Sequence, residues 1–83
     1  MKIVSYSKSA LQTLRRMPAN TATNIRNKVD QYARDPTSLA NNVKRLTGRT
    51  GWRLRVGDWR VIFDDDGVVL AILAIGPRGG IYD

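Results

Sequence analysis

Three arginines flank one short turn signal in the stretch Trp52-Arg53-Leu54-Arg55-Val56-Gly57-Asp58-Trp59-Arg60-Val61-Ile62-Phe63. Apolar and polar residues alternate on both sides of Gly57-Asp58, which is the pattern of two strands joined by a two-residue hairpin turn. If Gly57 and Asp58 form the turn, Val56 faces Trp59, Arg55 faces Arg60, Leu54 faces Val61 and Arg53 faces Ile62. Alternation then sends Trp52, Leu54, Val56, Trp59, Val61 and Phe63 to one face, and Arg53, Arg55 and Arg60 to the other. Like charges directly opposite one another on neighbouring strands cost stability. Guanidiniums gathered with no carboxylate on their face suit a planar or tetrahedral anion, held by forked N–H donors. The plainer alternative is a solvated outer face whose arginine stems cover the sheet. The turn decides between them, because a three-residue turn would change the register.

Composition limits what such a face can do. The chain of 83 residues has no cysteine and no histidine. That removes disulfides, thiolate nucleophiles, zinc sites of the usual ligand type and the commonest general base. Any catalysis must run on Arg, Lys, Tyr, Asp, Glu or hydroxyl side chains, and no cofactor is expected. Fourteen Lys and Arg against seven acidic residues give a formal charge of +7, which attracts polyanions such as nucleic acid, or an acidic protein partner.

Other residues compete for a role. Arg78 and Tyr82 lie in Gly76-Pro77-Arg78-Gly79-Gly80-Ile81-Tyr82, which lacks P-loop spacing and reads as a tail that positions them. Tyr82 suits packing, base stacking or proton acceptance, and composition alone does not choose. Asp64-Asp65-Asp66 resembles a metal cluster, but adjacent strand residues point to opposite faces and Gly67 follows, so the run reads as turn chemistry. Trp52 and Trp59 read as core, because alternation sends them to the apolar face. Arg15-Arg16 add charge of undetermined direction, as does Arg45.

The elements that must position these residues follow from periodicity. Lys2 to Tyr6 reads as a strand, with Ser7 as N-cap of a helix carrying Ala10, Leu11, Leu14 and Met17. Pro18 ends that helix or opens the next, whose stripe is Ala22, Ile25, Val29, Tyr32 and Ala33. Asp35-Pro36 stops it, since the residue before a proline is pushed out of helical geometry. Thr37 to Asn42 reads as loop. Asp66-Gly67 reads as a second turn, leading into the apolar strand Val68 to Ile75. On that reading Arg60 pairs with Leu73 and Ile62 with Ala71. Ala71, Leu73 and Ile75 then share the arginine face, while Leu70, Ile72 and Ala74 face the helices. The expected architecture is α+β in the order β-α-α-β-β-β, a helical hairpin packed on a largely antiparallel four-stranded sheet. Residues 1–83 are expected to form a single domain. No apolar run approaches the ~20 residues of a membrane span, and the N-terminus carries no secretory pattern, so a cytoplasmic location is expected.

These residues resemble the RelE/ParE superfamily of bacterial toxins. The likeness is carried by Tyr6-Ser7 before Ala10 and Leu14, by Asp35-Pro36, and by Val43-Lys44-Arg45-Leu46-Thr47-Gly48. The stretch Trp52 to Phe63 and the final Gly76-Pro77-Arg78…Ile81-Tyr82 complete it. The resemblance covers nearly the whole chain, and Arg53 to Phe63 is its most specific part. It implies a toxin of a type II toxin–antitoxin system, and the RelE branch implies a metal-independent endoribonuclease that enters the ribosome and cuts mRNA. There the RNA's own 2′-hydroxyl is the nucleophile and a cyclic phosphate remains. By position, Arg60 and Arg78 are implied to hold the scissile phosphate and stabilise its developing charge. Arg53 and Arg55 are implied to bind substrate and help activate the nucleophile, with Tyr82 stacking or transferring a proton. Lys44 and Arg45 are implied to bind substrate. The implied partners are the ribosome with its mRNA and a cognate antitoxin with an acidic contact segment. Two departures stand out: Gly79 replaces a basic residue of many relatives, and the chain stops at Asp83 without a terminal helix. The ParE branch implies a different activity, a non-catalytic poison of DNA gyrase, and an inactive protein-binding relative is a third reading.

Overall fold

The computed structural model describes residues 1–79. Strand β1 (Ile3–Tyr6) leads into helices α1 (Lys8–Arg16) and α2 (Ala19–Arg34). A 3₁₀ segment, Pro36–Asn42, then precedes β2 (Val43–Arg45), β3 (Trp52–Val56), β4 (Trp59–Asp65) and β5 (Val69–Pro77). The strands form one sheet in the order β1-β5-β4-β3-β2, with β1 parallel to β5 and every other pair antiparallel. The sheet is therefore mixed and five-stranded, one strand more than expected. The extra strand is β2, whose three residues are too few to show an alternation, and which forms only because β3 offers an edge. Thr37 to Asn42, expected as loop, belongs to the 3₁₀ segment.

Both helices cover one face of the sheet. Ser7 caps α1 as expected: its Oγ accepts from the Ala10 N–H at 3.0 Å and donates to the Leu73 carbonyl at 2.7 Å. One hydroxyl thus ties the start of α1 to β5. Pro18 stands at the head of α2, where its missing N–H costs nothing. The core joins Ala10 and Leu14 of α1 with Ile25, Val29 and Ala33 of α2, over Leu54, Val56, Val61, Phe63, Leu70, Ile72 and Ile75 of the sheet. No helix among the described residues is long and apolar enough to cross a membrane.

The β3–β4 register is the expected one: Arg55 faces Arg60, Leu54 faces Val61 and Arg53 faces Ile62. The β4–β5 register is not. Arg60 pairs with Gly76 rather than Leu73, and Ile62 with Ala74 rather than Ala71. Two causes add. Gly67-Val68, not Asp66-Gly67, occupies the turn, with the Asp66 N–H donating to the Val69 carbonyl at 3.3 Å. A bulge opposite Ile62/Phe63 then leaves Leu73 without a partner. One extra residue reverses the alternation beyond it. Ile75 consequently enters the core, against expectation, and Ala74 joins the arginine face.

The aspartate run divides along the same line. Asp64 and Asp65 complete β4, and Asp65 lies 3.4 Å from the Lys2 ammonium. Asp65 and Asp66 both do turn chemistry: Asp65 Oδ1 accepts from the Gly67 N–H at 2.9 Å, and Asp66 Oδ1 accepts from the Val69 and Val68 N–H groups at 2.7 and 2.9 Å. The Val69 and Val68 bonds hold the Asp66 carboxyl below the usual value. Among the described residues no group of His, Cys, Asp or Glu could hold a metal ion.

Gly51 enters β3 with a φ of +110°, and a Cβ there would meet Asp64 Oδ1 at 3.0 Å and the Phe63 carbonyl oxygen at 3.2 Å. Backbone conformation and close approach both demand glycine. Gly51→Ala is expected to cost about 1–3 kcal/mol. Urea denaturation reads this directly, and an unchanged midpoint would show that the β2–β3 connection relaxes freely.

Candidate functional site

The arginine face is the face the helices leave open. Hairpin pairing sets Arg55 directly across from Arg60, and β2 adds to the group, because Lys44 pairs with Arg53. Lys44, Arg53, Arg55 and Arg60 line a hollow of about 170 Å³ together with Asn41 and Asn42. Among the described residues no carboxylate lines it. The Arg60 guanidinium is folded over the hairpin turn, Nη1 donating to the carbonyls of Gly57 and Trp59, each at 3.0 Å. That leaves the rest of its fork for a ligand. Asn42 Nδ2 donates to the Arg55 carbonyl at 3.4 Å, holding the 3₁₀ segment against β3.

Arg78 stands one residue beyond the last β4–β5 pair, and its N–H donates to the Asp58 carbonyl at 2.6 Å. It is exposed, and alternation from Gly76 places it on the arginine side, at the hairpin end of the sheet. Gly76, beside Arg60, offers no side chain to fill the space between them. Tyr82 lies outside the described residues.

Arg45 does not join the group. Neighbours on a strand point to opposite faces, so Arg45 sits across from Trp52 and lays its guanidinium carbon 5.1 Å from the centroid of the indole. Asn41 and Asn42 are the lining residues that sequence reasoning missed, since a polar stretch read as loop carries no period to orient its side chains. The half-buried phenols Tyr6 and Tyr32 do not line the hollow. Burial, then Asp30, pushes the Tyr6 hydroxyl up, and burial, then Asp65, does the same for Tyr32. Both stay protonated at neutral pH.

A larger groove of about 550 Å³ opens on the helix side between the end of α1 and the β4–β5 pair. Met17, Pro18, Trp59, Ile75 and Pro77 make it mainly apolar, with Arg16 at its rim. Size does not make it the anion site, because it offers one cation where the smaller hollow offers four. Trp52 and Trp59, expected as core, are both half-buried and pack against the core from its edge.

A small basic α+β protein with a cationic hollow on its open sheet face is the class that fold and site define. The family model for the ParE toxin of type II toxin–antitoxin systems, parDE, matches residues 4–82. The chain therefore belongs to that toxin family. Solved structures with the same fold include the RelE–RelB complex of Pyrococcus horikoshii OT3, at 26% identity over 96% of this chain and 98% of that one, with a TM-score of 0.77. The RelB–RelE antitoxin–toxin complex of Methanococcus jannaschii matches at 19% identity over 95% of both chains, TM-score 0.73. The isolated E. coli RelE toxin matches at 16% identity over 94% of this chain and 85% of that one, TM-score 0.73. At the two lower identities the likeness is one of fold alone. No curated protein matches the sequence significantly. The protein is a toxin of a type II toxin–antitoxin system, in the RelE/ParE superfamily.

Proposed function

We propose that this toxin is a ribosome-dependent endoribonuclease that cuts mRNA in the cytoplasm by attack of the RNA's own 2′-hydroxyl, without a metal ion. The observation that carries the reading is the hollow itself: among the described residues, four cations and no carboxylate line it, on the open face of the hairpin. Protein wanting only solubility has no reason to set Arg55 against Arg60, because the pair costs stability unless an anion sits between them. A phosphodiester gains negative charge as its phosphorus becomes five-coordinate. Guanidiniums fixed in advance around it stabilise that charge at no cost in reorganisation.

In this reading Arg60, anchored on two carbonyls, and Arg78, at the same end of the sheet, hold the scissile phosphate. Arg53 and Arg55 bind the neighbouring backbone and bring the 2′-oxygen into line, while Lys44 completes the basic wall. Tyr82 stacks on a base or passes a proton. The cognate antitoxin presents an acidic segment that neutralises the same charges, in keeping with the RelE structures of Pyrococcus and Methanococcus, which are complexes with RelB. A gyrase-binding poison is the second reading, favoured by the ParE description of the matching family.

Induced expression followed by primer extension on a translated message separates the two. Cuts confined to translated positions support the nuclease. Intact mRNA with an induced DNA-damage response overturns it in favour of the second reading.

A further inference from the structure

Resting on the ribonuclease reading, we infer that Lys44 is the catalytic base of the site, the group that takes the proton from the attacking 2′-hydroxyl. The hollow needs such a group and its walls supply few. A guanidinium stays protonated throughout the working range and cannot accept a proton. That excludes Arg53, Arg55 and Arg60. Asn41 and Asn42 do not titrate. The chain has no histidine and no cysteine, and among the described residues no carboxylate lines the hollow. Of the six described residues that line it, Lys44 alone can gain and lose a proton at one nitrogen.

Its placement fits the task. Lys44 is the middle residue of β2 and pairs with Arg53, so its stem rises from the same face as the arginines, while Arg45 beside it is turned away onto Trp52. The elements packed against β2 are β3 and the 3₁₀ segment. From β3, Arg53 and Arg55 face the ammonium, with Arg60 of β4 beyond them, and the 3₁₀ segment contributes only the two asparagines. Lys44 thus shares the hollow with the three guanidiniums that would hold the phosphate. A flexible four-carbon stem also lets the amine reach a ligand held by stiffer guanidiniums.

The step balances as follows. The neutral Lys44 amine takes the 2′-hydroxyl proton while the 2′-oxygen forms a bond to phosphorus and the bond from phosphorus to the 5′-oxygen breaks. The 5′-oxygen leaves with a proton from solvent water. The lysine ammonium returns its proton to solvent, leaving a 2′,3′-cyclic phosphate and a free 5′-hydroxyl.

The test uses the full chain on ribosomes programmed with a defined mRNA, measured in single turnover across pH. The parent rate is expected to climb about tenfold per pH unit while the amine deprotonates. Lys44→Arg keeps the charge but not the proton exchange. It should lose about 10²–10⁴-fold in rate, the usual worth of a general base, keep its half-saturating concentration and lose the pH slope. Because the chain has no cysteine of its own, Lys44→Cys can be alkylated at that one position. Bromoethylamine, which rebuilds a primary amine, should restore cleavage. A trimethylammonium-ethyl reagent, which rebuilds charge alone, should not. If Lys44→Arg cuts at the parental rate with the parental slope, Lys44 is not the base, and the ribonuclease reading survives on the parent's activity. If Tyr82→Phe removes the slope while Lys44→Arg retains it, the proton goes to Tyr82 and the inference falls. A parent that cuts no ribosome-bound RNA sinks the ribonuclease reading itself. Lys44 is exposed, so its variants should melt with the parent.

Discussion

Arg60→Ala is expected to lower the rate of mRNA cleavage by about 10²–10³-fold while leaving the fold intact. The magnitude is that of one preorganised donor to a developing oxyanion. Arg60 qualifies because its guanidinium is already held, Nη1 on the Gly57 and Trp59 carbonyls at 3.0 Å, so little freedom is lost when phosphate arrives. Alanine removes the donor and the anchor together. Arg60→Lys should recover only part of the loss, since an ammonium is a point charge and cannot fork between a carbonyl and a phosphate oxygen. Stability should hold or rise by a few tenths of a kcal/mol, because the facing Arg55 loses a like charge. Single-turnover cleavage on ribosome-bound mRNA, paired with a melting curve, checks both halves. A parental rate would remove Arg60 from the site, and with it the reason for reading the hollow as a phosphate clamp.

Phe63→Ala, three residues further along the same strand, is expected to act through the other face. Phe63 is 1% exposed, in the middle of the core, with its ring 5.1 Å from that of Tyr32 on α2. Truncating a buried phenylalanine costs about 3–5 kcal/mol in lost transfer energy and cavity. A domain of this size has a total stability of only roughly 4–12 kcal/mol. The variant should therefore melt more than about 12 °C below the parent. At 37 °C a substantial part of it should be unfolded. A shift of only a few degrees would mean that the helices collapse onto the gap. The two substitutions divide the strand by face: Arg60 carries rate and Phe63 carries stability. An Arg60 variant that melted well below the parent, or a Phe63 variant whose folded fraction cut slowly, would contradict that division.

The hairpin that bears Arg53, Arg55 and Arg60 was legible in the sequence. Its register depends on Gly57-Asp58 and on an alternation spanning a dozen residues, and both are local. Chemistry by elimination was legible too, because the absence of histidine and cysteine is a property of composition. Ser7 as a cap and Asp35-Pro36 as a stop were equally readable, each acting within one turn of chain.

The remainder depended on partners distant in sequence. Strand β2 exists because β3 presents an edge to it, and only that pairing sorts Lys44 onto the arginine face and Arg45 onto Trp52. Asn41 and Asn42 reach the hollow through the 3₁₀ segment, which has no period of its own to announce it. The bulge at Leu73 is the clearest case. An unbroken apolar strand suits either face, so nothing within Val68 to Ile75 marks where the alternation reverses. The Leu73 carbonyl instead accepts from the hydroxyl of Ser7, 66 residues earlier, and the helices draw Ile75 beneath them. That reversal puts Gly76 rather than a leucine beside Arg60 and carries Arg78 to the hairpin end. The sequence by itself determined which cations share a hairpin, because that order is written between near neighbours. Tertiary structure decided what stands around them, because those contacts join segments that only the folded sheet and helices bring together.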